Sequence, residues 1–533
     1  MRQVVLSAAS GLLLAASFPR LAAYPLVFVA LVPLSLAVSE ASAARRFALG
    51  WVAGASFHLI AWRWALPTIA YLQEFSLPAA VPFFALFVGY QSLQIALFAL
   101  FAFAGRFHAA PFAGPLVAAS AWVVLEWAFP RIIPCYLADP LAASPVLRQA
   151  ADLGGVYGLS FVVALVNASA AAVLFPSLLP RSKRLRLLIV PTAVLTATAA
   201  YGITRDAHPS SGDPSRTAQV SPKTAPVQVT VVQANQGAAG DDRGAANEAA
   251  WQAYELLTQI GLPGAPAAGT SDRKAPEQWL IVWPETVLRV YLDEDSIYRQ
   301  RVSDLVESLN TPLLLGALQR AGDGPDERNS AFLFSPRALA SQEDGPAVYS
   351  KQRLIAFGES VPVGIAGRLG WRTTGNFVPG DSVQSGNLQL PGAGSATSFA
   401  PSICFEAIFS GAFNAAVRSG AGFLVNVTDD GWFGDTDEPY QHLNATVLRA
   451  VETRRWLVRA SNSGISALVD PSGAVMASIP LRRTGVLTHL VEPATTLTPY
   501  VRLGDWPVGF ALLIIAASVR RSGWRSPANR RPT

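Results

Sequence analysis

The sequence predicts a polytopic α-helical membrane protein of about eight spans, with an α/β domain inserted before the last of them. Three observations predict it. The 533 residues are 51% hydrophobic and only 14% charged, whereas a soluble domain carries about 25% charged residues. Seven stretches without a charged side chain fall in the first 205 residues, each near the roughly 17–25 residues that a helix needs to cross a bilayer. Residues 205–500 instead alternate strand-like and helix-like runs, the pattern of an α/β domain.

The apolar stretches are 4–18, 22–38, 47–62, 75–105, 109–125, 154–180 and 187–204, with an eighth at 506–519. One such stretch could be a buried core helix, but seven in succession are read as membrane spans. Arg45-Arg46, Arg106 and Arg520-Arg521 punctuate them. With the N-terminus in the cytoplasm, the inner segments hold thirteen basic residues and the outer short loops hold four: Arg20, Arg63, Arg131 and Arg148. The positive-inside rule therefore puts both termini in the cytoplasm and the long 205–500 segment outside it. A cleaved signal peptide over residues 1–22 is the competing reading of the first stretch. It leaves the later basic loops inside.

The expected division is 1–205 (membrane domain, seven helices), 206–226 (polar linker), 227–500 (extracytoplasmic domain) and 501–533 (last membrane helix and basic tail). The linker is rich in Ser, Pro, Thr and Lys and cannot bury a core. Strands are expected at 227–232, 279–282, 312–315, 331–334, 399–404 and 423–427. A hairpin is expected from 465–469 and 475–478 around the turn Asp470-Pro471-Ser472-Gly473. Helices are expected at 248–260, 296–308 and 441–459. Two cysteines exclude a disulfide scaffold, and five scattered histidines argue against a His-rich metal site. Cys135 and Cys404 lie in separate regions and are expected to be free thiols.

Three side chains in the inserted domain carry chemistry. Glu285 follows a buried-looking strand in Val282-Trp283-Pro284-Glu285-Thr286, a common place for a catalytic group, although a surface Glu is the plainer reading of it alone. Lys351 is one of only four lysines among 41 basic residues. A lysine is a compact point charge that can titrate when desolvated, which Arg does not do. Cys404 closes an apolar strand in Ser402-Ile403-Cys404-Phe405-Glu406. Alone it reads as a buried thiol. As a nucleophile it needs a base and a cation, and Glu285 and Lys351 could supply them.

These motifs occur in one order: Trp283-Pro284-Glu285-Thr286, then Lys351 with Phe357-Gly358-Glu359-Ser360-Val361-Pro362, then Ile403-Cys404-Phe405-Glu406. They are joined by Asn426-Val427-Thr428-Asp429-Asp430-Gly431-Trp432-Phe433-Gly434, by Gln441-His442 through Arg449 and Glu452 to Arg455, and by Arg459 to Ser466. Together, over about 180 residues, they resemble the Glu–Lys–Cys constellation of the nitrilase (carbon–nitrogen hydrolase) superfamily. Placed between a seventh and an eighth span, the domain resembles that of the apolipoprotein N-acyltransferase family, and the loop from Phe129-Pro130 to Tyr157-Gly158 resembles that family too. The resemblance implies an αββα sandwich and transfer of an acyl chain from a phospholipid to the free α-amine of a diacylglyceryl-cysteine in an apolipoprotein. It implies Glu285 as general base, Cys404 as nucleophile and Lys351 as the cation on the oxyanion. Glu359 and Glu406 would support them. Trp432 and Phe433 would wall the acyl site, and Trp283, Phe405 and Trp371 are further candidates for substrate contact. Phe405 stands where a Tyr is expected, and Asp430-Gly431 stands where Asp-Ala is usual.

Ester-to-amine acyl transfer through a thioester needs no metal, cofactor or nucleotide. The expected partners are a phospholipid donor, a diacylated apolipoprotein acceptor and the membrane itself, with no nucleic acid and a monomeric chain. The expected location is a bacterial inner membrane, with the catalytic domain periplasmic. Two rivals stand beside this reading: a membrane-tethered nitrilase-type amidase, and a non-catalytic membrane scaffold. The segment 364–377 (GIAGRLGWRTTGNF) is either a mobile arm over the lipid or an ordinary loop. Glu126 is either a functional acid inside the membrane or a side chain reaching the outer interface. The Asn-X-Ser/Thr sequences at Asn167, Asn426 and Asn444 are expected to be accidental.

Overall fold

The computed structural model describes residues 1–102, 113–174, 184–206, 225–237, 243–262, 278–322, 324–337, 345–361, 371, 373, 375–381, 387–391 and 397–523. Most of the expected linker at 206–226 and most of the 364–377 segment lie outside them. The chain forms two compact units: Met1–Leu66 with Leu77–Ala207 and Leu503–Thr533, and His208–Arg502 with Pro67–Ser76.

The first unit is helical. Its longer helices include Arg2–Ser17, Ala43–Ala61, Leu77–Gln91, Gly114–Ala128, Ala151–Leu174, Ile189–Asp206 and Trp506–Gly523. Among the described residues three helical stretches are long and apolar enough to cross a membrane, by length and composition: Leu77–Phe101, Leu147–Leu174 and Leu185–Arg205. Four more apolar helices are shorter. Polar side chains inside this unit bond to backbone that helices leave open. Asn167 is buried; it donates to the Val27 and Val163 carbonyls and accepts the Leu31 N–H, so its Asn-X-Ser sequence is internal packing. Glu126 is fully buried and accepts from the Trp122 indole and the Leu137 N–H, which ties the 129–150 loop to its helix.

The second unit is built on two six- and seven-stranded sheets. The first contains β1 (Val227–Gln233), β2 (Gln278–Val282), β3 (Leu288–Tyr291), β4 (Leu313–Arg320), β5 (Glu327–Phe334), β6 (Ala347–Ser350) and β13 (Gly485–Val491), in the order β13-β1-β2-β4-β5-β6, with β3 beside β4. The second contains β7 (Leu388–Leu390), β8 (Thr397–Ile403), β9 (Phe423–Thr428), β10 (Leu457–Ser461), β11 (Ser466–Val469) and β12 (Val475–Ile479), in the order β12-β11-β10-β9-β8-β7. Pairs β1–β2, β8–β9 and β9–β10 are parallel, and their strands are apolar runs buried on both faces, as parallel strands must be. The sheets meet through β1 and β10 and through β5 and β8. Helices Arg243–Gly261 and Ser296–Leu309 cover the first sheet; Glu438–Thr453 and Asn414–Arg418 cover the second. This is the expected helix–sheet–sheet–helix layering. Trp251, Tyr254, Trp283, Leu305 and Phe332 fill the core between the first sheet and its helices.

The eight expected strands are found as β1, β2, β4, β5, β8, β9, β11 and β12, whereas β3, β7, β10 and β13 lie outside the expected set. The hairpin turn is as expected: Asp470 Oδ1 accepts the Ser472 and Ala474 N–H groups. One helix differs. The expected 441–459 helix runs from Glu438 to Thr453 and stops at Arg454, whose φ of 52° ends it. Leu457–Ser461 is then strand β10, wedged between β9 and β11. Leu457 and Val458 are buried sheet residues whose apolar pattern also fits a helix face, so the ladder decides.

Candidate active site

The three chemical side chains each follow a strand. Glu285 lies three residues beyond β2, Lys351 directly follows β6, and Cys404 directly follows β8. Strand ends place side chains on a rigid frame with the backbone free to turn. The turn that carries Glu285 presses on β4. Gly316 N–H donates to the Pro284 carbonyl, and a Cβ on Gly316 would lie 2.6 Å from the Glu285 Cα. Only glycine fits there.

Lys351 is buried beneath two carboxylates. Its Nζ lies 2.6 Å from Glu359 Oε1 and 3.3 Å from Glu285 Oε1. Glu285 Oε1 also accepts from Asn329 Nδ2 at 2.7 Å, and its Oε2 accepts the Asp429 N–H at 2.8 Å. Glu359 Oε2 accepts the Ile355 N–H, so the Glu359 carboxylate is fixed as well. Burial pushes the Glu285 carboxyl up from its ordinary value, and Lys351 pulls against that. Burial opposes the Lys351 ammonium, yet Glu359 and Glu285 outweigh it and hold the lysine protonated. Burial and the Glu285 charge push the Cys404 thiol up, and Lys351 lowers it. A thiol so placed stays protonated at rest and gives its proton up when a base takes it.

Cys404 adopts a left-handed backbone, φ 54°, unusual for a residue with a Cβ. The turn is held from both sides. Glu406 Oε2 accepts the Ile403 N–H at 2.8 Å and the Tyr349 hydroxyl at 2.9 Å; its Oε1 accepts the Gln352 and Arg353 N–H groups at 2.7 and 3.1 Å. One carboxylate thus joins the cysteine turn to the lysine loop. Below the turn, the Cys404 carbonyl accepts from Asn426 Nδ2 at 3.2 Å and meets His442 Nε2 at 3.3 Å.

The aromatic candidates separate. Phe405 stacks flat on the His442 ring at 4.7 Å and meets Phe433 edge-on at 5.7 Å. Trp432 lies against Tyr71 and under the Arg289 guanidinium. Trp371 donates from its indole to the Phe357 carbonyl, one turn from Glu359. Trp283 does not join them. It is fully buried, packs on Trp251 and Tyr254, and donates to Thr258 Oγ1. Residues 283 and 285 would share a face of a continued strand, but the chain leaves β2 after Val282 and turns through Thr286 at φ 47°, so Trp283 stays in the helix-covered core while Glu285 reaches the site.

Asn329, Tyr349 and the Asp429 N–H were not legible as site members. Asn329 and Tyr349 sit at alternating places on β5 and β6 and carry no motif. Among the described residues one cluster has metal-ligand composition: Asp430, Glu438 and His442, all buried. The Arg459 guanidinium, 2.8 Å from Asp430 Oδ2, already supplies a positive charge there.

Residues 228–498 match the carbon–nitrogen hydrolase family, and residues 10–169 match the apolipoprotein N-acyltransferase N-terminal domain. The class is therefore a carbon–nitrogen hydrolase domain carried by a membrane-type N-terminal region. The chain is 31% identical to an apolipoprotein N-acyltransferase of Geobacter metallireducens over 98% of this chain and 96% of that one. It is 29% identical to an Azotobacter vinelandii protein of the same name, with the same two shares covered. Among solved structures, Saccharomyces cerevisiae Nit3 of the nitrilase superfamily aligns with 17% identity, covering 58% of this chain and 98% of that chain, at a TM-score of 0.37. The chain belongs to the apolipoprotein N-acyltransferase family.

Proposed function

We propose that this chain moves an acyl chain from a membrane phospholipid to the free α-amine of a diacylglyceryl-cysteine at an apolipoprotein N-terminus. Glu285, Lys351 and Cys404 carry the reaction. The observation that supports it most is the buried Lys351 between Glu285 and Glu359, beside a cysteine in a left-handed turn. Glu285 takes the Cys404 proton, and the thiolate adds to the donor ester carbonyl. Lys351 stabilises the oxyanion. The ester C–O bond breaks, and the lysophospholipid leaves with the proton that Glu285 held. The thioester waits for the amine. The amine adds, Glu285 accepts its proton, and the C–S bond breaks to return Cys404. Glu359 orients Lys351, and Glu406 holds the two active loops in register. Phe405, Phe433, Trp432 and Trp371 are proposed to line the acyl path.

Both substrates are lipids, which a membrane-embedded enzyme meets in two dimensions. The proposed frame is eight spans, seven in residues 1–205 and one in 501–533, with both termini cytoplasmic. Residues 227–500 form the periplasmic catalytic domain of an inner-membrane monomer. The full-length family match supports this reading over a tethered amidase or a scaffold. The test uses purified chain in detergent with phospholipid and a diacylglyceryl-cysteine peptide bearing a free amine. The peptide gains one acyl chain, and acyl-Cys404 is trapped when the amine is omitted. Cys404→Ala gives neither. Ammonia release from simple amides without acyl gain would replace the proposal by the amidase reading.

A further inference from the structure

A phospholipid carries a negative phosphodiester close to the ester that Cys404 would attack, and the groups around the thiol offer it nothing. Glu285, Glu359 and Glu406 gather there, and the ammonium among them, Lys351, is spent on Glu285 and Glu359. The phosphate therefore needs a cation outside this cluster. Two guanidiniums nearby pair with no carboxylate among the described residues. Arg353 is exposed and lies over the Phe409 ring at 4.5 Å. Arg289 is half-buried and lies 5.7 Å from the centre of the Trp432 ring.

Arg289 is the better placed of the two. Its neighbours on β3, Leu288 and Val290, pack into the core beneath the helices, so residue 289 leaves the opposite face of the strand. The Asn247 side chain accepts its backbone N–H at 2.8 Å and fixes it there. Among the described residues no protein acceptor takes any of its side-chain N–H groups. On one side it meets Trp432, next to Phe433, whose ring reaches Phe405 beside Cys404. On the other its charge reaches the Asp429 carboxyl without pairing with it, and the Asp429 N–H holds Glu285 Oε2 at 2.8 Å. An unspent fork of N–H groups thus stands where the aromatic wall and the loop of the base meet. Such a planar fork matches two phosphate oxygens at once. Its partial burial strengthens the attraction, whereas water screens an exposed cation such as Arg353.

We propose that Arg289 forms a phosphate subsite for the acyl donor: its guanidinium holds the phosphodiester while the neighbouring ester carbonyl is presented to Cys404. This role rests on the reading of the chain as an acyltransferase that takes its acyl group from a phospholipid. The amine arrives after the lysophospholipid has left, so Arg289 serves the first half-reaction alone.

The experiment follows acyl-Cys404 formation by the full chain in detergent from two donors: a phospholipid, and the diacylglycerol of the same acyl chains, which keeps the ester and lacks the phosphate. Wild type favours the phospholipid in kcat/KM. Arg289→Gln lowers that preference by about tenfold or more through a raised KM for the phospholipid, the scale of one hydrogen bond to a charged group. Arg289→Lys keeps the charge and recovers most of it. Salt erodes the wild-type preference and leaves that of Arg289→Gln unchanged. KM for the acceptor peptide does not move. A preference in Arg289→Gln within about twofold of wild type would overturn the proposal. So would a loss that falls on Arg353→Gln instead, or a raised KM for the acceptor peptide. A wild type that does not distinguish the donors, or whose preference is flat with salt, would do the same without any variant having to fold. Equal losses on both donors together with lower melting would mark a structural arginine and also overturn it. A wild-type chain whose Cys404 is alkylated by iodoacetamide yet acylated by neither donor would instead remove the acyltransferase reading, and the subsite with it.

Discussion

Replacing Glu406 by Gln removes one charge and one acceptor from a carboxylate that accepts four hydrogen bonds. The amide oxygen can keep only one pair of donors. Set on the Gln352 and Arg353 side, it leaves the NH₂ group facing the Ile403 N–H and the Tyr349 hydroxyl. The hydroxyl can rotate and accept, but the Ile403 N–H cannot. One buried N–H is then unsatisfied, which costs about 1–3 kcal/mol. The remaining bonds lose the assistance of the charge, about 1 kcal/mol each over two or three bonds. The sum is about 3–6 kcal/mol, against a total stability of about 5–15 kcal/mol for a domain. Because the bonds join the cysteine turn to the lysine loop, part of the loss falls on their mutual alignment. Thermal melting of the purified chain and the rate of acyl-Cys404 formation would be measured side by side. Melting drops by several degrees, and acylation of the still-folded enzyme slows by at least about tenfold. A variant that melts within a degree of wild type and acylates at the wild-type rate would show that Glu406 clamps nothing that matters.

Glu285→Gln removes the base, and kcat falls by about 10²–10⁴-fold. Because burial raises Glu285 and only the ionised form accepts a proton, wild-type kcat/KM falls as pH drops through a value above the ordinary 4.5; an acid limb at or below 4.5 would contradict this. Burial pushes the Asp429 carboxyl up to about 7 from 3.8, so the folded state holds a proton that the unfolded chain has lost. That contribution is complete below 3.8 and disappears as pH rises through about 7. Asp429→Asn therefore gains stability relative to wild type as pH rises from 3.8 to about 7 and holds that gain above it, and a melting difference that stays flat with pH would refute it. Trp283→Phe lowers melting through lost core volume but leaves kcat per folded molecule unchanged; a selective loss of turnover would return Trp283 to the substrate site. Gly316→Ala drives a methyl group into the Glu285 turn, and kcat falls while KM holds; a wild-type kcat would show that the turn can yield.

Much of this was legible in the chain itself. The strands of the second unit are short apolar runs between turn residues, and β1, β8 and β9 fall within a residue or two of their expected places. The proposed trio of Glu285, Lys351 and Cys404 could be read because each member follows such a run. Trp283 lies away from the site although its motif matches, because the chain leaves β2 after Val282 and the turn at Thr286, not a pleat, parts it from Glu285. The 441–459 helix was overrun for a related reason. Arg454 ends it through a left-handed backbone angle that an arginine does not advertise, and Leu457 to Ser461 become a strand only because β9 and β11 wait on either side. Asn329 and Tyr349 bond to partners more than 30 residues away, which leaves no local pattern. The shorter helices of the first unit, such as Val32–Val38, break apolar stretches that read as continuous, at Pro33 and at the turns beside it.

Strand β1 pairs with β2 on one side and with β13 on the other, and its Thr230 hydroxyl meets that of Thr488, 258 positions later in the chain. A ribosome adds about 5–20 residues per second, so roughly 13–50 s separate the emergence of β1 from that of the strand that closes its outer edge. Throughout that interval Val227, Val229 and Val231 present an open, β-prone edge of the kind that recruits other strands. Folding of the domain is thus committed late, and nascent chains cut short anywhere before Gly485 would carry a permanently unpaired edge. Truncations ending shortly before β13 should be degraded or aggregate, while those ending just beyond Val491 can already complete the sheet.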